Sequence, residues 1–512
     1  MSDAQQMNRE DLRQALSGLR EEIERFSYTP EPVSMGTVVD VGESIVHVSG
    51  LRQVMVGEVL HFDNGTLGMA LNLTADAVGA IIMGPNEGIV RGGNVQALGY
   101  VASVPVGEQM LGRVVDALGR PVDGKGPIST ARVRPVEHPA PGIIERAPVD
   151  SPLITGIKAV DALVPIGRGQ RQLIIGDRQT GKTTMAVDAI LNQQPNDVLC
   201  VYVAIGQKLS NVAQVVQALD RAGALEHTVV VAAEASAPAA LQYLAPYAGC
   251  AMAEEFMLAG RDALIVFDDL TKHAWAYRQL SLLLRRPPGR EAYPGDVFYL
   301  HARLLERAGR LDESRGGGSM TALPIVETQL GDLAAYIPTN IISITDGQIY
   351  LETELFHSGI RPALNAGLSV SRVGGSAQSA SMRQVAGQMR LDMAQYRELQ
   401  AFSQFGTDLD AATQASLGRG ARLVEMLKQS QHSYVAPQDQ VVLYYAATHG
   451  YLDQIAIDEV SEFESLFLQY LGRERQSVRN AVSFERRMTD RVQEVLDLSL
   501  REFFRTVWAN RG

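Results

Sequence analysis

The segment that most constrains the fold of this protein is Arg171–Asp188, where a short apolar run, a glycine-bounded loop and an amphipathic run follow one another. The loop, GDRQTGKT, matches G-x-x-x-x-G-K-[ST] at every fixed position. Strand, loop and helix in this order predict a phosphate-binding site, because backbone N–H groups of the loop and helix N-terminus point at an anion. The alternative is a glycine turn that binds nothing. The residues predicted to bind a nucleotide here are Gly176, Asp177, Arg178, Gln179, Thr180, Gly181, Lys182, Thr183 and Thr184.

Lysine, hydroxyl and carboxylate groups complete the predicted site. The Lys182 ammonium is expected on the outer phosphates, and the Thr183 hydroxyl is expected to ligate Mg²⁺. Downstream, the apolar run Ala263–Phe267 is followed by Asp268 and Asp269. A carboxylate at the end of such a strand can accept a hydrogen bond from metal-bound water, so Asp268 is favoured for the Mg²⁺ site over Asp269. The alternative for an aspartate at a strand end is an ordinary turn residue.

The region around the phosphate loop alternates between apolar and helical runs. A protein of 512 residues is too long for one hydrophobic core, so about three domains are expected. Strands alternating with helices predict a central α/β domain with a mostly parallel sheet. The predicted strands are Val198–Ile205, Thr228–Ala233 and Ala263–Phe267, and the predicted helices are Asn211–Ala222 and Pro238–Gly260.

The regions on either side of this α/β core have different patterns. Short strand-like runs separated by Gly, Asn and Asp predict a small β-barrel on the N-terminal side. From Ser381 onward, amphipathic or apolar helical runs predict a helical C-terminal domain. The expected domains are an N-terminal helical segment at 1–32, the β-barrel at 33–100, the nucleotide-binding domain at 101–384 and the helical domain at 385–512.

The first residues predict a helix over Asn8–Phe26, with Leu12, Leu16, Leu19, Ile23 and Phe26 on one apolar face. One solitary helix cannot bury such a face against itself. Either it packs on its own chain, or it docks on a partner; the pattern leaves both readings open.

The composition excludes several classes of protein. Net charge is −12, which argues against a nucleic-acid footprint. No apolar span of about 20 residues is present, and the first residues lack the apolar core of a signal peptide, so any membrane association is expected to come through partners. The two cysteines, Cys200 and Cys250, have no metal-ligand spacing, and buried thiols are expected.

Several further motifs are long and specific. They are YVAIGQK (202–208), LQYLAPYAGC (241–250), the run from Phe267 to Ala308, ISITDGQIYLETELF (342–356) and PALNAGLSVSRVGGSAQ (362–378). Together with GDRQTGKT, they resemble the alpha subunits of rotary (F-type) ATP synthases, and the resemblance extends from about Met35 to about Tyr451.

This resemblance implies a β-barrel, a RecA-like nucleotide domain and a helical C-terminal domain. It also implies bound ATP or ADP with Mg²⁺, a three-plus-three ring alternating with beta subunits, a gamma shaft, and a delta or peripheral stalk. The complex would sit on the cytoplasmic side of a bacterial inner membrane. This subunit would reach the membrane only through the ion-translocating sector.

The same resemblance assigns roles to individual residues. The catalytic beta subunit has a glutamate at the position of Gln207, and a small apolar residue at the position of Gln179. An amide cannot take a proton from water, so this subunit's own site is expected to bind MgATP without turning it over. Arg372 matches an arginine finger that acts on the neighbouring beta subunit's site, although most arginines are surface residues. Gln429 and Gln431 match positions near the nucleotide base, while their residue types alone suggest solvated helix-end glutamines.

Two other functional classes remain as alternatives. A self-sufficient RecA-like hexameric motor, for secretion or nucleic-acid translocation, would need a glutamate in place of Gln207, and for RNA a basic interior. A nucleotide-gated structural module would not need Arg372. The sequence leaves open whether the coupling ion is H⁺ or Na⁺ and in which direction the enzyme runs.

Overall fold

The structure is a computed structural model that describes residues 34–130, 132–193, 197–403, 410–485 and 487–511. The predicted helix Asn8–Phe26 lies outside the described residues.

The first six strands form a closed antiparallel barrel with the order β1-β2-β5-β4-β3-β6. Its interior is filled by alternating apolar residues such as Val46, Val48 and Leu60, all fully buried. Period-two alternation around one closed core is what the short apolar runs predicted. The strands are β1 Met35–Val41, β2 Ile45–Ser49, β3 Glu58–Phe62, β4 Leu67–Leu73, β5 Val78–Ile82 and β6 Asn94–Val101.

A central sheet of nine strands follows, with the order β19-β18-β12-β17-β15-β13-β14-β8 and β16 beside β17. Its pairs are parallel except for β18 with β19 and β16 with β17. Two small antiparallel pairs, β7 with β9 and β10 with β11, lie outside it. The strands are β7 Ser103–Pro105, β8 Val114–Val115, β9 Val133–Pro135, β10 Pro152–Leu153, β11 Ile166–Gly167, β12 Leu173–Gly176, β13 Val198–Gln207, β14 Thr228–Glu234, β15 Asp262–Asp268, β16 Gly309–Arg310, β17 Ser319–Glu327, β18 Gly347–Leu351 and β19 Val370–Ser371.

Both faces of the central sheet are covered, which is why its strands are almost continuously apolar. Along β13, Tyr202 and Ala204 belong to one buried cluster, whereas Val203 and Ile205 belong to the other. The predicted buried thiols, Cys200 and Cys250, are both buried. The helices of this domain are α1 Lys158–Leu163, α2 Lys182–Leu191, α3 Leu209–Arg221, α4 Ala239–Leu258, α5 Leu270–Leu283, α6 Val297–Leu305, α7 Tyr336–Ile344 and α8 Thr353–His357.

The C-terminal part is helical, and it shares one buried cluster with a face of the central sheet. Its helices are α9 Ala380–Ser403, α10 Ala411–Leu427, α11 Pro437–Thr448, α12 Val460–Glu474, α13 Gln476–Glu485 and α14 Asp490–Thr506. The fold class is therefore confirmed: a six-stranded barrel, a central α/β domain with a mostly parallel sheet, and a helical domain. The apolar pattern predicted that the strand after the phosphate-loop helix ends at Ile205, but β13 continues to Gln207 and brings that amide to the edge of the sheet.

Two histidines are fully buried inside the central domain. His273 on α5 and His301 on α6 are fully buried, with ring centroids 5.3 Å apart. Neither ring nitrogen of His301 has a hydrogen-bond partner among the described residues. Burial disfavours the charged imidazole, lowering the pKa of His301 to about 3 and that of His273 well below its usual value. The folded protein therefore keeps both rings neutral.

We predict that His301→Leu makes the protein less sensitive to acid. The unfolded chain takes up a proton at this histidine below pH 6.5, whereas the folded chain does not until about pH 3, so stability falls as pH drops through that interval. Between pH 7 and pH 5 the wild type should lose about 2 kcal/mol more unfolding free energy than the variant. Urea titrations at both pH values measure this difference. His138→Leu, at an exposed site, should behave like the wild type; equal losses in His301→Leu and the wild type would contradict the prediction.

Candidate nucleotide-binding site

The loop between β12 and α2 lies where the carboxyl ends of several parallel strands meet. Gly176 ends β12, Gln207 ends β13, Asp268 ends β15 and Glu327 ends β17. Gly181, with φ 96°, adopts the left-handed conformation just before the helix begins at Lys182. Glycine adopts this conformation without the clash of a Cβ atom, so the backbone can turn and direct the first N–H groups of α2 outward.

Lys182 is buried at the start of α2, and its Nζ donates to the carbonyl oxygen of Asp177. Burial lowers the pKa of this ammonium, and the surrounding carboxylates of Glu327, Asp269, Asp268 and Asp177 partly offset that effect. A buried cation on a helix N-terminus is the arrangement that a polyphosphate satisfies. The observed geometry therefore fits the predicted phosphate contact.

Asp268 accepts hydrogen bonds from three side chains on two elements, the helix α2 and the strand β13. Thr183 Oγ1 and the Tyr202 hydroxyl donate to its Oδ2 at 2.7 and 2.8 Å, and Gln207 Nε2 donates to its Oδ1 at 2.8 Å. Burial, followed by the charge of Asp268, raises the pKa of Tyr202 well above its usual value, so the phenol stays a donor. The carboxylate of Asp268 and the hydroxyl of Thr183 are thus adjacent, as a shared metal site requires.

Asp269 has a different position from Asp268. It is the N-cap of α5, where its Oδ1 accepts from the Lys272 backbone N at 2.8 Å, and its Oδ2 lies 3.3 Å from Lys272 Nζ. Burial raises its pKa to about 6, although the charge of Lys272 opposes this. The carboxylate that contacts Thr183 is therefore that of Asp268, the residue that the sequence pattern favoured.

The remaining loop residues differ in what their side chains contact. Asp177 accepts from Thr328 Oγ1 and the Gly331 backbone N at 2.7 and 2.9 Å, so its side chain fastens the loop to the segment after β17. Thr180 is buried and donates to the Asp177 carbonyl, whereas Arg178 is exposed with its Nε 3.1 Å from a Glu327 oxygen. Gln179 is exposed and Thr184 is half-buried.

Gln207 is fixed as a donor rather than an acceptor toward Asp268. Its Nε2 contacts both Oδ1 and the carbonyl oxygen of Asp268, at 2.8 and 3.3 Å. Only the NH₂ half of the amide can donate to a carboxylate, so the orientation follows from the contact. A glutamate here would bring a second carboxylate against Asp268, which the amide avoids.

Gln429 and Gln431 line the same cavity but differ in exposure. Gln429 is half-buried: its Oε1 accepts from the Lys158 backbone N at 2.8 Å, and its Nε2 donates to the carbonyls of Gly156 and Ser433. It is therefore not the solvated helix-end glutamine that its residue type suggests. Gln431 is exposed, and its side chain has no hydrogen bond within the described part of the chain.

These groups surround one cavity of about 1590 Å³, which extends from the phosphate loop to the segment after α10. Some residues that line this cavity were not predicted from the sequence. One of them is Arg361, whose guanidinium lies 4.5 Å from the centroid of the Phe356 ring. Tyr202 was missed as well, although a phenol in an otherwise apolar strand is a signal that its hydroxyl has a polar partner. No group of three or more His, Cys, Asp or Glu residues suited to a metal occurs among the described residues.

Arg372 lies just after the edge strand β19, near the amino-terminal end of β18. It follows β19, whose Ser371 pairs with Gly347, and its backbone N donates to the Asp346 carbonyl at 2.8 Å. The phosphate loop leaves the sheet beside Leu351, at the opposite end of β18. At about 3.3 Å per residue, the five steps from Asp346 to Leu351 span roughly 16 Å. The Arg372 side chain is exposed and has no hydrogen-bond or ion-pair partner among the described residues.

Comparison with known proteins accounts for all three parts of the fold. Residues 34–99 match the beta-barrel domain of the ATP synthase alpha/beta family, residues 156–371 match its nucleotide-binding domain, and residues 378–503 match its C-terminal domain. Curated relatives named ATP synthase subunit alpha are similar over most of their length. That of Desulforudis audaxviator is 57% identical over 95% of this protein and 96% of its own length. That of Macrococcus caseolyticus is 60% identical over 89% and 90%, and that of Dehalococcoides mccartyi is 56% identical over 95% and 97%.

The chain belongs to the family of ATP synthase alpha subunits. Alpha subunits of this family bind nucleotide, which implies ATP or ADP as a ligand of the nucleotide-binding domain at residues 156–371. The family also makes this subunit part of a membrane-associated complex. In the described residues, none of the helices combines the length and the apolar character needed to cross a bilayer.

We predict that Lys182→Ala weakens MgATP binding by about 10- to 100-fold while leaving the fold intact, because a hydrogen bond to a charged group contributes about 1.5–3 kcal/mol. Isothermal titration of the purified full-length subunit measures the affinity. Lys125→Ala is the matched control, since Lys125 is exposed and does not line the cavity. Unchanged affinity in a folded Lys182→Ala variant would refute the phosphate contact.

Proposed function

We propose that this subunit holds MgATP without hydrolysing it and supplies Arg372 to the catalytic site of a neighbouring beta subunit. The observation that carries the first half is the Gln207 amide, which donates to Asp268 inside the nucleotide cavity. Hydrolysis needs a group that orients the attacking water and accepts charge from it, and a donating amide is not such a group.

The residues that would hold the nucleotide fit it chemically. Lys182 and the N–H groups of the loop Gly176–Thr184 bind the phosphates, and Thr183 with Asp268 provides the oxygen ligands for Mg²⁺, Asp268 through a water molecule. When bound, Mg²⁺ neutralises phosphate charge. Tyr202 and Gln207 keep the Asp268 carboxylate turned toward Thr183.

Other carboxylates near the loop do not replace the missing base. Asp269 caps α5 and contacts Lys272 with both oxygens, and Glu327 lies against Arg178. Each is therefore committed to a cationic or N–H partner within the subunit. This supports a site that retains nucleotide for structure or regulation rather than turning it over.

The position of Arg372 supports a role in a neighbouring subunit. Its guanidinium has no partner among the described residues and lies on the sheet edge remote from its own phosphate loop. Arginine presents a planar, permanently charged fork that can stabilise the charge that develops on a transferring phosphoryl group. An exposed arginine at this edge can act only on a nucleotide that another subunit holds.

The wider assembly follows from the family and is part of the proposal. The subunit would alternate with beta subunits in a three-plus-three ring around a gamma shaft, with a delta or peripheral stalk. The ring would couple ATP synthesis or hydrolysis to translocation of H⁺ or Na⁺. It would lie at the cytoplasmic side of a bacterial inner membrane, attached through the membrane-embedded sector.

We predict that Arg372→Ala, and also Arg372→Lys, lowers steady-state ATP hydrolysis by the assembled ring about 10³-fold or more, because a finger arginine contributes about that much to turnover. Ring assembly and nucleotide binding by this subunit should persist, as gel filtration and bound-nucleotide analysis would show. Arg52→Ala, an exposed arginine near the barrel, is the control and should hydrolyse ATP normally. Near-normal hydrolysis by assembled Arg372→Ala rings would exclude the role.

A further inference from the structure

The segment Gln429–Val435, here the cavity segment, lines the nucleotide cavity and is tied to the body of the domain at three places. At one end, the Gln429 backbone N donates to the Arg361 carbonyl at 2.8 Å. At the other end, the Val435 backbone N donates to the Gly156 carbonyl at 3.3 Å. Between them, His432 contacts Asp188 on the phosphate-loop helix α2. The middle contact therefore joins the cavity segment to the element that begins with Lys182.

Asp188 and His432 share two hydrogen bonds to one oxygen. The His432 backbone N lies 3.0 Å from Asp188 Oδ1, and the His432 ring Nδ1 lies 2.9 Å from the same atom. Asp188 is buried, whereas His432 is exposed to solvent protons. The backbone of His432 has φ 58°, a left-handed conformation that is unfavourable for a side chain larger than glycine. The two bonds hold the segment in this conformation.

The chemistry of this contact depends on protons. Histidine is the side chain that ordinarily gains its charge between pH 5 and 8. A neutral imidazole makes an ordinary hydrogen bond to a carboxylate, whereas an imidazolium makes a charge-assisted one of about twice the strength. The added charge also lies beside a cavity suited to a polyphosphate. Both effects favour the closed segment when His432 is protonated.

No other charged group bonds this imidazole among the described residues. The charges on the neighbouring elements are occupied elsewhere or lie at other parts of the cavity. They are Lys182 at the start of α2, Lys158 paired with Glu464, Lys428 paired with Glu425, and Arg361 over the Phe356 ring.

We propose that Asp188 and His432 form a pH-sensitive clasp on the nucleotide cavity, in which protonation of His432 tightens the cavity segment against α2 and slows release of the bound nucleotide. The inference rests on the proposed nucleotide-holding role and adds its regulation. His432 is a positioning residue, since it acts through the segment that carries Gln429 and Gln431.

The pH window follows from the two partners. Burial raises the pKa of Asp188 above its usual value, and the bonds and charge of His432 partly offset that rise. The clasp is strongest where His432 is protonated and Asp188 is still ionised. It weakens when His432 loses its proton, and it weakens again in stronger acid as Asp188 takes up a proton.

The test is the release rate of MgATP from the purified full-length subunit between pH 6 and pH 8. In the wild type, release should be about fivefold to tenfold slower at pH 6 than at pH 8, because protonated His432 makes a charge-assisted bond to Asp188. This slowing is measured relative to any change in release rate with pH that the variants also show. His432→Asn should remove this difference, because asparagine accepts the left-handed conformation but cannot gain a proton. Asp188→Asn should remove it as well. Titration of the nucleotide phosphates contributes equally to all variants and cancels in the comparison.

The control is His138→Asn, at an exposed site that does not line the cavity, and it should keep the wild-type pH profile. Circular dichroism at each pH verifies that the variants are folded. If the wild type and both folded variants share one pH profile, the clasp is refuted while the nucleotide-holding function stands. If the wild type binds no MgATP at any pH, both the clasp and the proposed function fail.

Discussion

The carboxylate of Asp268 is the point on which the site depends, because it joins the helix α2 and the strand β13 to its own strand, β15. A hydroxyl from the phosphate-loop helix, a phenol from the middle of β13 and an amide from its end all donate to it. A buried carboxylate without such donors would be costly, so their presence is a condition of the fold as well as of the site. The same three contacts fix where Thr183 stands and leave Gln207 facing inward as a donor. The proposed nucleotide binding and the proposed lack of a catalytic base thus both rest on one network of hydrogen bonds.

The central sheet separates the two functions that we assign to this alpha subunit. The nucleotide cavity lies at the carboxyl ends of its parallel strands, whereas Arg372 lies after the edge strand β19, near the amino end of β18. A parallel sheet with both faces covered has only its two edges and its loops free for chemistry. An arginine on the far edge is roughly 16 Å along the strands from its own phosphate loop. The architecture therefore favours a division of labour between neighbouring subunits, and the helical domain closes the cavity through the segment that bears Gln429.

The sequence alone predicted those parts of the fold and site that depend on local pattern. The spacing of GDRQTGKT and an acid at the end of an apolar strand are local signals, and the fold class they indicated is confirmed. The partners of these residues are not local. Thr183 meets Asp268 across 85 positions, and Asp188 meets His432 across 244, so no periodicity could reveal either contact. Gln429 shows the same limit: its residue type suggests a solvated side chain, and only folding brings the Lys158 and Gly156 backbone to it.

The central claim is that this subunit retains ATP intact. The most direct measurement uses the purified full-length subunit loaded with Mg²⁺ and ATP labelled at the γ-phosphate, separated from free nucleotide and then followed for release of labelled phosphate. The account predicts that the label stays on bound ATP for many turnover times of a typical ATPase, of the order of 0.1 s each. It also predicts that phosphate appears only when beta subunits are added and rings form. Release of phosphate by the isolated subunit in repeated turnovers would contradict the account.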